Sequence, residues 1–450
     1  VIPSSGHNHS GDAVPASSLI LDRFFRHRRH DDRLALSQPY FDMLAKLGDP
    51  HKKLPPVFHV AGTNGKGSTC AFLRAILEAA GHRVHVYTSP HLVRFHERIR
   101  LAGKLISEDE LVDLLTECER IDEREQVSDF EAATAAAFAA FARHPADYII
   151  LETGLGGRLD ATNVIDKPLA TIITRLSYDH RDYLGDTIAQ IAGEKAGIMR
   201  AHVPCFAASQ PEGEAIAVLK KVAAELHAPL SMGGETWRVE KKDNGFHYAD
   251  ADHEYDFTLP GLTGDHQIEN AGLAIAALSA LPKPISQDAI QRGLKNVTWP
   301  ARLHKLETGR LAEKLPKHWE LWLDGGHNDS AGEALAAQAK AWGEEDDKRD
   351  LHIIMGMLKT KCPHEFLTPL APYISDLHTI TIPGEAMSFS GDDLVSQAQA
   401  LGNFKIQSAD TLQAALDDIF SASLKPGRIL ICGSLYLAGH VLHANGTVIS

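Results

Sequence analysis

The stretch VFHVAGTNGKGSTCAFLRAIL (57–77) constrains the architecture of this chain more than any other. A short apolar run gives way to three closely spaced glycines and then to a helical pattern, which reads as strand, tight loop and helix. Glycines in such a loop let the backbone turn sharply and aim N–H groups inward, and the helix N-terminus adds partial positive charge. Gly62, Thr63, Asn64, Gly65, Lys66, Gly67 and Ser68 thus form a phosphate cradle, with Lys66 reaching for the outer phosphates. A glycine-rich turn with a surface lysine is the competing reading. The usual phosphate loop, G-x-x-x-x-G-K-[ST], holds magnesium with the hydroxyl directly after its lysine. Here Gly67 follows Lys66 and the hydroxyls of Ser68 and Thr69 come late, so a metal needs other donors.

From Val57 to about Gly261 short apolar runs alternate with helical patterns, the signature of a largely parallel sheet with crossover helices. The strands expected are VFHVA (57–61), VHVYT (84–88), YIILET (148–153), ATIIT (170–174) and VPCFAA (203–208). Ser107 with Glu110, and Thr187 with Gln190, read as capping boxes that start helices. Alternation around Asn244-Gly245 predicts a small antiparallel hairpin. Beyond a linker at TWPAR (298–302) the alternation resumes in LWLDG, LHIIMGM, LHTITIP, FKIQSA and RILICGS. The expected fold is α/β: an N-terminal P-loop NTPase-like, mostly parallel domain with an antiparallel patch over 1–299, and a smaller Rossmann-like α/β domain over 300–450.

The bulk properties narrow the function. A chain of 450 residues exceeds one ordinary core, and 44% apolar with 23% charged residues is a globular composition. A net charge of −14 disfavours nucleic acid and acidic membranes but leaves room for small anions in a cleft focused by cations. Five scattered cysteines without a C-x-x-C indicate a reducing compartment and no structural zinc, and no apolar run reaches membrane length, so the expectation is a cytoplasmic protein. His7 and His9 belong to a polar tail with the composition of disorder, and GEEDDKRD (343–350) reads as a solvated loop.

Three further segments put polar residues where strands end: YTSPHLVRFHERIR with Ser89, LETGLGGRLDATN with Glu152, and SYDHRDYLGDT with His180. The carboxyl ends of parallel strands gather along one edge, so these three can meet the glycine loop although distant in sequence. Singly, each has a plainer role: a turn serine, a helix-capping glutamate, a structural histidine.

Together, AGTNGKGS, TSPHLVRFHERI, LETGLGGRLDATN, DHRDYLGDTIAQIAGEKAGI, DGGHN and CGSLYLAGHVL resemble the folylpolyglutamate synthase/dihydrofolate synthase family of the Mur ligase superfamily, from about Leu54 to Leu442. The resemblance implies an ATP-dependent ligase of the bifunctional bacterial type that adds L-glutamate to dihydropteroate and reduced folates through an acyl phosphate, acting as a monomer with Mg2+ and a monovalent cation. It assigns the metal to Ser89, Glu152 and His180, and makes Lys195 a carbamylated lysine; without it Lys195 is a helix-surface partner of an acidic neighbour. It further implies nucleotide contacts at Asn270, Arg302 and Asp324, a role for His327 at the γ-phosphate, a glutamate pocket at Ser434 and pterin contacts at Phe130 and Asp160. DFEAATAAAF (129–138) points to both glutamylations. The chain departs from the family pattern in having DGGHND for DGAHNP, GMLKTKC for G-x-L-x-D-K-D and PAR for PGR. Two other classes stand beside this reading: a Mur-type ligase acting on a cell-wall precursor, and a P-loop ATPase that needs no acceptor.

Overall fold

A computed structural model describes residues 14–26, 36–123, 126–345, 349–402, 404–423 and 425–449. The tail with His7 and His9, and part of the charge cluster at 343–350, lie outside them. The chain opens with helices α1 (Ala16–Arg26) and α2 (Gln38–Lys46), then runs β1 (Val57–Ala61), α3 (Lys66–Ala79), β2 (Val84–Tyr87), β3 (Ile99–Leu101), β4 (Lys104–Leu105), α4 (Glu108–Ile121), α5 (Asp129–Arg143) and β5 (Tyr148–Glu152). It continues through β6 (Ala170–Ile173), α6 (Arg181–Leu184), α7 (Ile188–Ala196), β7 (Cys205–Ala207), α8 (Gly213–Glu225) and β8 (Leu230–Met232). A hairpin region, β9 (Arg238–Lys242), β10 (Gly245–Ala249) and β11 (Glu254–Thr258), precedes α9 (Asp265–Ala277) and α10 (Gln287–Asn296). The remaining elements are β12 (His304–Lys305), β13 (Glu320–Leu323), α11 (Asp329–Gly343), β14 (Leu351–Met355), α12 (Pro363–Leu367), β15 (Asp376–Thr379), α13 (Gly391–Ala398), β16 (Lys405–Ser408), α14 (Leu412–Ala422), β17 (Arg428–Cys432) and α15 (Leu435–Asn445).

The first sheet has the order β4-β3-β2-β5-β1-β6-β7-β8, parallel from β2 to β8 with β3 and β4 antiparallel at one edge. β1 is buried along its whole length, as a strand covered on both faces requires. Phe58 and Val60 enter the core under α3, α9 and α10, while Val57 packs with α4 and α5 on the opposite face. His59 is accommodated there because Thr162 hydrogen-bonds its Nε2 at 2.9 Å, and burial lowers its pKa to about 3, so the ring stays neutral.

Local sequence signals account for most helix starts. Thr187 and Gln190 exchange side-chain-to-backbone bonds at 3.2 and 3.1 Å, a complete capping box on α7. At α4 only half of the expected box forms: Ser107 accepts from the Glu110 amide at 3.2 Å, but the Glu110 carboxylate lies 3.5 Å from His144. An unforeseen box, Ser128 with Glu131, starts α5, and Glu131 also accepts from Ser37 and so ties α2 to α5. The hairpin occurs as expected, but its two turn residues are Asp243 and Asn244, with Gly245 already paired to Lys242. Gly245 is required for another reason: any Cβ there would collide with the Phe257 carbonyl on β11.

The second sheet has the order β12-β13-β17-β14-β15-β16, parallel except for β12. All five strands expected after residue 302 are present, flanked by two apolar clusters, one on each face. Among the described residues no helix is long and apolar enough to cross a membrane.

α10 packs closely against α3, so that a Cβ at Gly293 would sit 2.6 Å from the Ile76 amide nitrogen. Gly293→Ala therefore forces the two helices apart despite its better helix propensity, and should destabilise by about 1–3 kcal/mol. A thermal-unfolding midpoint unchanged or raised in this variant would contradict that packing.

Candidate functional site

The order of the first sheet reverses at β1, which lies between β5 and β6, and this places a crevice beyond the carboxyl ends of the strands. Four segments converge there: the glycine loop after β1, Ser89 after β2, Glu152 at the end of β5, and residues 175–180 after β6. The loop is held by the last of these. The Thr63 and Asn64 amides both donate to the Arg175 carbonyl at 3.1 Å, and the Thr63 hydroxyl donates to the Ser177 carbonyl at 3.1 Å. Those two amides are thus spent on fixing the loop, contrary to the expectation that the whole loop faces a phosphate. The amides of Gly65 to Ser68 precede the first helical bond, Thr69 to Gly65, and retain the helix-end role. Gly62 and Gly65 take positive φ, and a Cβ at Gly65 would collide with the Asn270 side chain. Lys66 bends back over the loop, its Nζ donating to the Gly62 carbonyl at 3.1 Å.

Ser89 and Glu152 meet: the Ser89 amide donates to the Glu152 carboxylate at 3.2 Å, next to a cis Ser89-Pro90 bond. Burial raises the Glu152 pKa to about 7 against the opposing pull of Lys66. His180 is not in contact with this pair. It caps α6 in a left-handed conformation, with its exposed ring 3.8 Å from the Asp179 carboxylate. Lys195 is no surface residue. It is 4% exposed, its Nζ donates to the Gly62 carbonyl at 2.8 Å, and burial with the nearby Lys66 charge lowers its pKa to about 7. The amine is therefore divided between its charged form and its neutral, nucleophilic form at neutral pH.

The carboxyl ends of the second sheet face this edge. Asn64 and Asn328 form a reciprocal amide pair at 3.2 and 3.1 Å. Asp179 lies between two residues from the loops of the second sheet, bonded to Lys361 and 3.6 Å from His327 Nε2. Burial alone would raise the Asp179 carboxyl, but the His327 hydrogen bond and the Lys361 charge hold it well below the usual range. Sequence reading missed Asp179, Asn328 and Lys361; the only available signals were their neighbours His180 and His327 and the unusual GMLKTKC.

The other expected residues occupy structural stations around the edge. Asp324 accepts from the Leu303 amide at 2.7 Å and the Gly326 amide at 2.6 Å, so its carboxylate fastens the linker to the second sheet. Arg302 lines the cavity beside Ser89 and Glu152 and donates to the Ala301 carbonyl at 3.0 Å. Asn270 bonds Gln267 at 3.1 Å beneath the glycine loop. Asp160 accepts from the Gly154, Leu155 and Thr162 amides at 2.9 Å each, organising its own glycine-rich loop, and the Phe130 ring closes against Gly154. Ser434 caps α15 by accepting from the Tyr436 amide at 3.1 Å.

The donor set suits a hard cation. The Ser89 hydroxyl and Glu152 carboxylate are oxygen donors of the kind magnesium prefers, and the raised Glu152 pKa marks a buried carboxylate that a cation would return to its charged form. Among the described residues no cluster of three or more His, Cys, Asp or Glu side chains is placed to hold a metal ion.

Lys195 yields a measurable consequence. Its folded pKa of about 7 lies below the ordinary 10.5, so unfolding takes up a proton between those values. The penalty of burying this amine is full below about pH 7 and is lost as pH rises through the unfolded value. Lys195→Met in bicarbonate-free buffer should therefore raise the unfolding midpoint more at about pH 6 than at about pH 10. Equal shifts at both would contradict a buried, depressed lysine.

Comparison with known proteins identifies the family of the chain. Residues 60–278 match the Mur ligase middle domain, and residues 307–444 match the dihydrofolate synthetase C-terminal domain. The dihydrofolate synthase/folylpolyglutamate synthase of Bacillus subtilis is 36% identical over 422 residues, covering 89% of this chain and 92% of that protein. Escherichia coli FolC in complex with DHPP and ADP superposes with a TM-score of 0.84 at 30% identity, over 97% of this chain and 98% of that one. The bifunctional enzyme from Yersinia pestis, complexed with AMPPNP and Mn ion, gives 0.82 at 29% identity over 97% and 99%. With a likeness of this strength running through nearly the full length of both chains, the chain belongs to the dihydrofolate synthase/folylpolyglutamate synthase family of Mur ligases.

Proposed function

We propose that this chain is an ATP-dependent ligase that joins L-glutamate to dihydropteroate and to reduced folates. The observation that carries the reading is the meeting of Lys66, the Ser89–Glu152 pair and buried Lys195 at one sheet edge, opposite His327 and Lys361. A carboxylate does not acylate an amine, because oxide is no leaving group. Phosphorylation makes it an acyl phosphate, and the neutral amine of glutamate then displaces phosphate. Phosphoryl transfer requires charge neutralisation and alignment rather than a protein nucleophile. Lys66 and the amides of Gly65 to Ser68 supply both, and Asn270, Arg302 and Asp324 shape the nucleotide side. Magnesium, held by Ser89 and Glu152 with His180 as a third ligand, would neutralise charge on the phosphates.

Lys195 fits a carbamate in the same way: a buried amine with a pKa near 7 can attack CO2, and the product carries a negative charge beside a metal position. Phe130 and Asp160 are our proposed pterin contacts, and Ser434 at the head of α15 our proposed contact for incoming glutamate. The two halves, divided near residue 300, close on each other and so exclude water from the acyl phosphate. The left-handed Ala301 and Leu303 are fastened to the second sheet, which leaves 298–300 as the pivot. A reducing, cytoplasmic setting accords with the five free cysteines, four of them buried, and the proposed enzyme acts as a monomer. A cell-wall ligase is less well supported, because the C-terminal match is to the folate branch.

Phosphate release should require glutamate together with dihydropteroate or tetrahydrofolate; release indifferent to pteridine removes the folate reading. Glu152→Gln should reduce magnesium-dependent turnover by at least about 100-fold with the unfolding midpoint preserved. Asp179→Asn strips Lys361 and His327 of their shared counter-charge, and kcat/KM should fall by about 10-fold or more. In 13C-bicarbonate, a carbamate resonance should appear and be missing from Lys195→Met.

A further inference from the structure

The linker between the two halves is laid along α3 before it crosses. It leaves α10, whose Gly293 lies against Ile76, and Trp299 then reaches the first turn of the same helix at Gly67. The chain thus follows α3 backwards from Ile76 to Gly67, a length of about 13 Å. There the indole rests on the glycine backbone: a Cβ at Gly67 would stand 2.8 Å from its Nε1 and 3.2 and 3.3 Å from Cε2 and Cζ2. Gly67 is buried, and the half-buried Trp299 packs against the apolar cluster shared by α3, α9 and α10. No side chain fits between the two unless the linker moves.

The contact explains why glycine follows Lys66. In the usual phosphate loop that position carries the metal-binding hydroxyl. Here the space a Ser or Thr side chain would take is filled by the Trp299 ring. The Gly67 amide belongs to the first turn of α3, the part of a helix suited to anions. The same linker carries Arg302, and Gly67, Trp299 and Arg302 line one cavity of about 270 Å3 with Ser89 and Glu152. On the far side the Leu303 amide is fastened to Asp324, so turning of the linker is confined between that anchor and the indole.

We propose that Trp299 is a positioning residue that registers the phosphate loop against the linker: seated on Gly67, it holds the first-turn amides of α3 toward the nucleotide phosphates and carries the occupancy of the loop to the pivot. This rests on the ATP-dependent ligase reading and adds the residue through which nucleotide binding and closure are coupled.

Titration of the full chain with AMPPNP and Mg2+ should change the tryptophan fluorescence of the wild type, and Trp299→Phe should abolish that change although the four other tryptophans remain. In steady-state kinetics with dihydropteroate, Trp299→Ala should raise KM for ATP about 10-fold or more with KM for dihydropteroate within about twofold, and Trp299→Phe, which keeps a ring, should recover most of the loss. Gly67→Ser should lower kcat/KM for ATP about 10-fold or more on its own, yet change it within about twofold in the Trp299→Ala background, where the added side chain has room. Losses that multiply in the double variant, a KM for ATP indifferent to Trp299→Ala, or a fluorescence response that is missing from the wild type or persists in Trp299→Phe overturns the coupling; pteridine-dependent turnover of the wild type then leaves the ligase reading standing. A wild type inert toward every pteridine, whose fluorescence response is still lost in Trp299→Phe, removes the folate reading and leaves the coupling in place.

Discussion

The burial of β1 between β5 and β6 is the constraint on which the rest of the molecule depends. With both faces of the strand covered, the chain leaves the sheet at Ala61 in one direction only, and the glycine loop is delivered to the point where the neighbouring connections diverge. Glu152 is paired with Val60 in the same register, so the distance from loop to carboxylate is set by backbone hydrogen bonds rather than by side-chain choice. A strand slip of one residue would turn Glu152 away from that edge.

Within this frame the electrostatics are held off balance. A carboxylate and an amine, Glu152 and Lys195, are buried with pKa values drawn toward neutrality from opposite sides, and Lys66 influences both. Such a pair of displaced titrations is expensive for a fold and useful to a reaction that handles polyphosphate charge. The cost is tolerated because surrounding groups are fixed by neutral contacts: Thr63 with Ser177, and Thr162 with both His59 and Asp160.

Much of this was legible in the sequence, because the signals were local. Strands β1, β2, β5, β6 and β7 and strands β13 to β17 follow from apolar runs, whereas β3, β4, β8 and β12 gave no such signal; the α7 cap follows from Thr187 and Gln190, and the placement of Ser89 and Glu152 follows from parallel-sheet geometry. What was not legible depends on distant pairing. Glu110 failed as a cap partner because His144, 34 positions on, competes for it. The meeting of Asp179 and Lys361 joins residues 182 positions apart, and no periodicity encodes it. Lys195 looked like a helix-surface residue because its neighbours are polar, whereas the helix face it occupies is covered by the glycine loop. α1 and α2 gave no strong signal and are held by tertiary contacts such as Ser37 with Glu131.

The contact of Asn64 with Asn328 differs in kind from that of Asp179 with Lys361 and His327, although both span the crevice. A carboxamide pair has no net charge, so mobile ions leave its strength nearly untouched, whereas the charged bridge weakens as the medium becomes more saline. The crevice is thereby joined by one seam indifferent to the electrolyte and one responsive to it. The phosphate loop is aligned by the indifferent seam, so its registration against the opposite half persists across osmotic conditions that loosen the other.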